Sequence, residues 1–242
     1  MKNIFFTLFL FINTLAISQN NNCEVFYKVV ICGDSTLKAK SERLNHLQQQ
    51  AIKGSSKINL ILKFNHYFSE FSLMESIEDE ETKTAIAWSD CRKKIYNDLN
   101  ANKSYYNCDA NKMGITKKNE FLVYTNLGSN WIESTERKKI DGYDCYKATK
   151  TIEYSNSKGI QKKEIIAWYC PEIPYSFGPN GYCGLPGLIL ELTDKNITFI
   201  AKKVLFVEKN FDILIPTEGI LISKEEYEII IKHRFEEFKK NR

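Results

Sequence analysis

The stretch AWYCPEIPYSFGPNGYCGLPGLILEL, residues 167–192, concentrates backbone constraint in one short part of the chain. It holds four of the chain's five prolines and four of its eleven glycines, and it ends in an apolar run. Proline fixes φ and lacks an amide donor, so a regular strand ladder cannot run through this stretch. Glycine permits backbone angles and close approaches that other residues resist. The pattern predicts a stiff loop that crosses a sheet and re-enters it as a strand near Leu188.

The composition of this loop supports two interpretations. In the first, the rigid loop is the mouth of a ligand site, because loops held on rigid scaffolds often carry binding residues. Its aromatic side chains are then the candidate binding residues: Trp168, Tyr169, Tyr175, Phe177 and Tyr182. In the second, the glycines and prolines serve turn geometry, and the loop is an architectural corner leading into a core strand. We favour the second, since Gly and Pro most often punctuate turns.

Most of the remaining chain has the pattern of β-strands. Apolar runs, or apolar residues alternating with charged ones, predict strands at 23–31, 57–74, 120–126, 130–140, 143–154, 161–170, 187–194 and 196–209. Turn residues at 155–159 and 194–196 predict two hairpins. The alternation indicates a sheet with one apolar face and one face in water.

Three helices are predicted beside these strands. The first covers residues 36–52, which are rich in helix formers. The second has a face marked at three- and four-residue steps by Ala85, Trp88, Cys91, Ile95 and Leu99. The third follows a capping box of Ser223 and Glu226 near the C-terminus. Its mixed acidic and basic polar face favours packing on the sheet over lying on a membrane surface.

These elements predict an α+β fold. We expect a large curved antiparallel β-sheet with a few packed helices, including the amphipathic C-terminal helix. An incomplete barrel is an alternative shape for the same sheet. No linker or internal repeat divides the chain, so residues 19–242 are expected to form a single domain.

The first 18 residues have the pattern of a secretory signal peptide. A short basic region precedes an apolar core at residues 4–16, and small residues end at Ser18, before the expected cleavage. The apolar run is short for a bilayer span, so a retained membrane anchor is the weaker alternative. Cys23 follows three asparagines rather than a small-residue lipobox, which argues against a lipid anchor there.

All seven cysteines lie beyond the expected cleavage, at positions 23, 32, 91, 108, 145, 170 and 183. Export brings a chain into an oxidising compartment, where disulfides are the expected state. An odd number leaves at least one thiol free or paired between molecules. Cys170 and Cys183 flank the Pro/Gly-rich loop and are the first pair to test, since closing that loop would stabilise by roughly 3 kcal/mol. A redox or metal site is the weaker alternative, because no Cys-x-x-Cys occurs.

The six residues Gly184, Leu185, Pro186, Gly187, Leu188 and Ile189 spell a motif. The chain thereby resembles the GLPGLI family of exported bacterial proteins. The similarity extends to residues 139–148, where a turn glycine precedes a cysteine and a Lys-Ala pair, and to residues 167–179. It covers about residues 130–195 in all. Cys170 stands where relatives are expected to have a small polar residue, which with the additional Cys183 favours a local disulfide here.

The resemblance implies an exported envelope protein of unassigned activity. It also implies an accessory role at the outer membrane, beside an outer-membrane receptor or another envelope complex. The expected location is the periplasm or the outer membrane, with secretion as an alternative. A binding or carrier protein for an unknown small ligand is the role that we favour.

Recognisable catalytic signatures are absent from the sequence. The only histidines are His46, His66 and His233, and none adjoins a nucleophile elbow. A cysteine- or histidine-dependent enzyme acting on envelope or peptide substrates remains the alternative, with Cys145 as its candidate nucleophile. No spacing predicts a metal or cofactor, and the net charge of +4 is scattered, which argues against nucleic acid as a partner.

Overall fold

The computed structural model describes residues 22–34, 41–75, 79–109, 115–156, 159–208 and 211–240. The predicted signal peptide, residues 1–18, lies outside this described part. In chain order the elements are β1 (Asn22–Ile31), α1 (Glu42–Ser55), β2 (Asn59–Phe64), β3 (Phe68–Leu73), α2 (Glu80–Ser89), β4 (Ile95–Asp98), β5 (Lys103–Asn107), β6 (Phe121–Asn126), β7 (Ile132–Ile140), β8 (Tyr143–Asn156), β9 (Gly159–Cys170), a 3₁₀ turn (Pro179–Gly181), β10 (Leu188–Asp194), β11 (Ile197–Val207), β12 (Ile220–Ser223) and α3 (Lys224–Lys240).

All twelve of these strands belong to one sheet, in the order β12-β6-β5-β4-β3-β2-β1-β11-β10-β9-β8-β7. The sheet is not closed, because β7 and β12 do not pair with each other. Neighbouring strands run antiparallel except β12, which joins β6 in parallel and was not predicted. The sheet and its three helices confirm the α+β fold class, with a mixed rather than purely antiparallel sheet.

A single large core follows the middle of the sheet. Most of its apolar side chains come from β1, β2, β8, β9, β10 and the loop between β9 and β10, and β3, β7 and β11 contribute others. Tyr27 and Phe199, on the central strands β1 and β11, expose at most 1% of their surface to solvent. Alternation along the strands places such residues on one face, as the sequence predicts.

Helices α1 and α2 pack against each other and contribute to this core. Ala51 of α1 and Ile86 of α2 are both fully buried. Ser41 caps the start of α1, where its side-chain oxygen accepts from the amide of Leu44 at 3.4 Å. The predicted start of this helix, residues 36–40, lies outside the described residues.

The predicted second helix is wrong beyond residue 89. Helix α2 ends at Ser89, because Asp90 takes a left-handed conformation with φ of 51°. The segment Ile95–Asp98 is instead the strand β4, which pairs with β3 on one side and β5 on the other. The helical spacing of Ile95 and Leu99 was therefore misleading, since partners distant in sequence offered that segment two strand ladders.

The C-terminal helix α3 begins at the predicted capping box. The Ser223 amide donates to Glu226 Oε2 at 2.8 Å, and the Glu226 amide donates to Ser223 Oγ at 3.1 Å. Tyr227 and Ile230 pack on a small second cluster around Phe121 and Val123 of β6. Among the described residues, no helix combines the length and apolar character that a membrane span requires.

Candidate functional site

The loop between β9 and β10, residues 171–187, folds against itself before the chain re-enters the sheet. The Ser176 hydroxyl donates to the Leu185 carbonyl at 2.7 Å, and the Ile189 amide donates to the Phe177 carbonyl at 2.9 Å. Three apolar side chains of the loop expose at most 2% of their surface to solvent: Ile173, Phe177 and Leu185. The loop is thus a packed element with its own apolar anchors, which agrees with the architectural interpretation.

Two glycines of the six-residue motif sit where a side chain has no room. A Cβ on Gly187 would lie 2.3 Å from the Cys170 carbonyl oxygen at the end of β9. Gly184 has a φ of +92°, and its Cβ would lie 3.1 Å from the Gly128 carbonyl oxygen. Only glycine tolerates both the left-handed angle and such a close backbone approach. The motif therefore packs the loop against β9 and against the connection between β6 and β7.

Other contacts tie the loop to strands on both sides of β9 and β10. The indole of Trp131, just before β7, donates from Nε1 to the Cys183 carbonyl at 2.8 Å. Asn97 of β4 donates from its side-chain amide to the Gly181 carbonyl at 3.4 Å. The Phe177 ring lies 5.5 Å from the Phe64 ring of β2. Because β2 and β4 lie four and six places away from β9 in the sheet order, the sheet must curve around the loop.

A polar row lies under the 3₁₀ turn of this loop. Ser69, Asn97 and Ser104 are paired in register across β3, β4 and β5, so their side chains share one face. All three are almost completely buried. Within the described residues, Ser69 Oγ and Asn97 Oδ1 have no hydrogen-bond partner. Asn97 Oδ1 is an open acceptor close to Gly181, and the unpartnered hydroxyl of Ser69 lies on the neighbouring strand β3.

Beside the loop, the curved sheet leaves an open cleft of about 980 Å³. Its wall is formed by the C-terminal end of α2, strands β4 to β6, the distal parts of β8 and β9, the β10–β11 turn and the start of α3. Residues Asn180 to Cys183 of the loop line it as well. This volume is at the upper end of the range of about 300–1,000 Å³ that ligand sites usually have.

Most charged groups in the cleft wall are paired. Lys163 Nζ lies 2.5 Å from Asp194 Oδ2, and the Tyr182 hydroxyl donates to the same oxygen at 3.1 Å. Burial, followed by the charge of Asp194, raises the pKa of Tyr182 well above its usual value. Tyr182 therefore stays protonated and acts as a hydrogen-bond donor at the edge of the cleft.

Lys150 on β8 differs from the other lysines of the wall. Its side chain is half-buried, and its ammonium donates to the Gly128 carbonyl at 3.1 Å. Among the described residues, no carboxylate oxygen lies within 4 Å of it. Burial lowers the pKa of Lys150. Burial also raises the pKa of the Cys183 thiol to about 11, so that thiol is neutral near pH 7 and supplies no counter-charge.

The structure separates the five predicted binding residues. Tyr182 is the one that lines the cleft. Phe177 is fully buried, and Tyr175 lies beside Phe64 at 5.0 Å between ring centroids. Tyr169 is buried and its hydroxyl donates to Glu133, while Trp168 carries the Lys138 ammonium 4.3 Å above its ring. Binding at all five positions, Tyr182 included, stays a prediction.

The cysteines and histidines behind the enzyme alternative are not assembled into one site. Cys145 is fully buried, and burial raises the pKa of its thiol to about 12. His46, His66 and His233 are exposed on α1, on the β2–β3 turn and on α3. Cys170 and Cys183 are both buried free thiols in this structure, so the disulfide between them stays a prediction. Within the described residues, no cluster of three or more His, Cys, Asp or Glu could hold a metal ion.

Most of the cleft carries no mark in the sequence. Lys150 and Ile152 on β8, Asp194 on β10 and Trp88 on α2 all line it, and none was a candidate. Lys150 carried one weak signal, because the strand register places it on the same face as the buried residues Ala148 and Ile165. A lysine on the inner face of a strand needs either a counter-charge or an opening to water.

Comparison with known proteins agrees with the resemblance in part. A family model described as "Protein of unknown function (Porph_ging)" matches residues 156–191. These residues cover β9, the loop with the six-residue motif, and the first four residues of β10. The match supports a likeness to that family over this segment and does not confirm the name GLPGLI. A search among curated proteins finds no match.

Two solved structures share the fold. Structures of PNGF-II in the C2 and P21 space groups superpose with TM-scores of 0.54 and 0.51, each at 14% sequence identity. Each comparison covers 88% of this chain, but only 33% and 34% of the PNGF-II chains. This chain therefore spans about a third of the length of the structures that it matches, and at this identity the likeness concerns the fold alone.

Proposed function

We propose that the protein is a non-enzymatic binding or carrier protein that holds a small ligand in the cleft beside the β9–β10 loop. The observation that carries the proposal is the open cleft of about 980 Å³ on the inner face of the sheet. Large concave sites with a few polar groups are the usual places for ligands.

The fixed position of the loop also supports this proposal. Asn97 and Phe64 hold the loop against the far half of the sheet, and Trp131 holds it beside β7. The loop in turn forms part of the cleft wall. A wall that is already ordered loses little conformational entropy when a ligand binds. The architectural and the binding interpretations of the loop are therefore compatible, because the corner shapes the cleft.

The wider setting is part of the same proposal. We propose that the chain is an exported envelope protein of the GLPGLI family, located in the periplasm or at the outer membrane, where it accompanies a receptor or another envelope complex. Support comes from the signal-peptide pattern of residues 1–18 and from the motif at residues 184–189. A single domain over residues 19–242 is proposed on the observation that all twelve strands join one sheet.

The test is ligand capture by the full chain, expressed with its leader in a bacterial envelope and purified through a C-terminal tag. Native mass spectrometry and solvent extraction then identify small molecules, and proteomics of the same eluate identifies partners. Thr125→Trp fills the cleft from β6. Tyr124→Trp, the neighbouring position whose ring stacks with Lys103 at 4.1 Å, is the matched control.

We expect a small molecule to accompany the unmodified protein and Tyr124→Trp, and to be depleted in Thr125→Trp. Equal recovery of the same molecules from all three proteins would refute the cleft as the binding site. A partner protein recovered with no small molecule would favour a purely structural role in an envelope complex.

A further inference from the structure

The cleft wall contains one half-buried positive charge that nothing in the described structure neutralises. Lys93 is paired with Asp90 at 2.9 Å, Lys163 with Asp194 at 2.5 Å and Lys224 with Glu228 at 3.9 Å. Lys195 is exposed to water, and its ammonium lies 4.1 Å above the Tyr154 ring. Lys150 alone among these cleft lysines combines partial burial with the lack of a carboxylate. A partly desolvated charge without a counter-charge is costly, and groups in such environments cluster at functional sites.

The motif itself fixes the position of this charge. Gly184 packs against the Gly128 carbonyl, which accepts the hydrogen bond from Lys150 at 3.1 Å. Trp131, three residues further along, is anchored to the Cys183 carbonyl and places its ring 5.7 Å from the Lys150 ammonium. Cys183 and Gly184 thus fix the segment 128–131, and the Gly128 carbonyl of that segment fixes the Lys150 ammonium. An ammonium has three donors, and the Gly128 carbonyl uses one of them, so the remaining two are free for a ligand.

We propose that Lys150 is the anion-binding residue of the cleft and binds the carboxylate or phosphate group of the ligand. This inference rests on the proposed binding function. A lysine ammonium acts as a point charge and accepts either oxyanion, so the structure defines the shared chemistry. The apolar part of the ligand lies against Ile152, which is two residues further along the same face of β8 and also lines the cleft. Tyr182 supplies a hydroxyl at the edge of the same space.

The experiment compares three probes of one shape: benzoate, phenyl phosphate and the uncharged benzamide. The readout is the indole N–H signal of Trp131 in NMR spectra of the full-length purified protein, assigned by its loss in Trp131→Phe. We expect both anions, or one of them, to shift this signal with an affinity about ten-fold above that of benzamide, since hydrogen bonds to charged groups contribute about 1.5–3 kcal/mol. The preferred anion identifies the ligand as a carboxylate or a phosphate.

Lys150→Met keeps the length of the side chain and removes the charge, and should abolish the preference for anions. Lys150→Arg should retain it. The matched control is Lys195→Met, which removes an exposed lysine of the same cleft and should leave the preference unchanged. Circular dichroism and the dispersion of the NMR spectrum establish that each variant is folded.

Equal affinities for benzoate, phenyl phosphate and benzamide in the unmodified protein would overturn the inference, even if Lys150→Met failed to fold. So would an anion preference that survives Lys150→Met, or no response of Trp131 to either anion at millimolar concentrations. The proposed binding function can hold even if the role of Lys150 is wrong. Capture of an uncharged molecule that Thr125→Trp excludes would support the binding function and contradict the role of Lys150.

Discussion

At the scale of single residues, Tyr27 shows how a buried polar group fixes the position of the strand after the loop. Its side chain is fully buried in β1, and its hydroxyl donates to the Ile189 carbonyl at 2.6 Å. Ile189 belongs to the part of β10 that precedes its pairing with β11, which begins at Glu191. The Ile189 carbonyl therefore depends on the Tyr27 hydroxyl for its hydrogen bond. Burial raises the pKa of Tyr27 well above its usual value, so the hydroxyl remains a donor.

Tyr27→Phe is expected to lower the free energy of unfolding by about 2 kcal/mol, because it leaves the buried Ile189 carbonyl without a donor. The measurement is urea denaturation followed by tryptophan fluorescence. Tyr67→Phe makes the same chemical change at a tyrosine that is 49% exposed and should be nearly neutral. Equal losses for the two variants would mean that the Tyr27 hydroxyl contributes nothing specific.

At the scale of elements, Gly187 determines how the loop leaves β9 and enters β10. Gly187→Ala would place a methyl group 2.3 Å from the Cys170 carbonyl oxygen, a backbone atom that cannot move without shifting β9. We expect a loss of about 2 kcal/mol or more, in the range of overpacked cores. Hydrogen exchange should quicken most at the amides of β10.

The control for this prediction is Gly33→Ala, where the nearest atom to the new methyl group is 3.9 Å away. That variant should be close to neutral. If Gly187→Ala were as stable as Gly33→Ala, the close approach of the motif to β9 would have no energetic role. The loop would then be positioned by its apolar anchors alone.

The elements that the sequence predicted well are those whose signal is local. Alternation sufficed for β8 and β9, where charged residues face water along one side and Ala148 and Ala167 face the core. The strand β4 was missed, because Ile95 and Leu99 also fit a helical spacing and only the pairing with β3 and β5 decides between them. The parallel strand β12 was missed because four residues carry little periodicity of their own.

At the scale of the whole molecule, the cleft could not be predicted for the same reason. Its wall draws a few residues each from α2, from seven strands and from the start of α3, and their proximity depends on the curvature of the sheet. Tyr182 was anticipated because it lies in the loop that the sequence marks so clearly. Lys150 became a candidate only when the structure showed which of the cleft lysines lack a carboxylate.

Burial of thiols across the sheet gives the molecule a characteristic response to alkali. Burial raises the pKa of the thiols of Cys23 and Cys145 to about 12 and that of Cys183 to about 11, from an ordinary value of 9.0. Below pH 9.0 these thiols are protonated in both the folded and the unfolded chain. Above it the unfolded chain releases protons that the folded chain retains, so the free energy of unfolding falls as pH rises towards 11.

Each such thiol is expected to remove about 1.4 kcal/mol of stability per pH unit between pH 9.0 and its raised pKa. Urea denaturation under reducing conditions at a series of pH values measures the slope. Cys145→Ala should make the slope shallower by about this amount, because it deletes one buried ionisable group. Cys32→Ala removes the exposed thiol and should leave the slope as it was. A free energy of unfolding that stays level over this pH range would show that water reaches the thiols in the folded state. The core would then be packed far less tightly than the complete burial of Cys23 and Cys145 indicates.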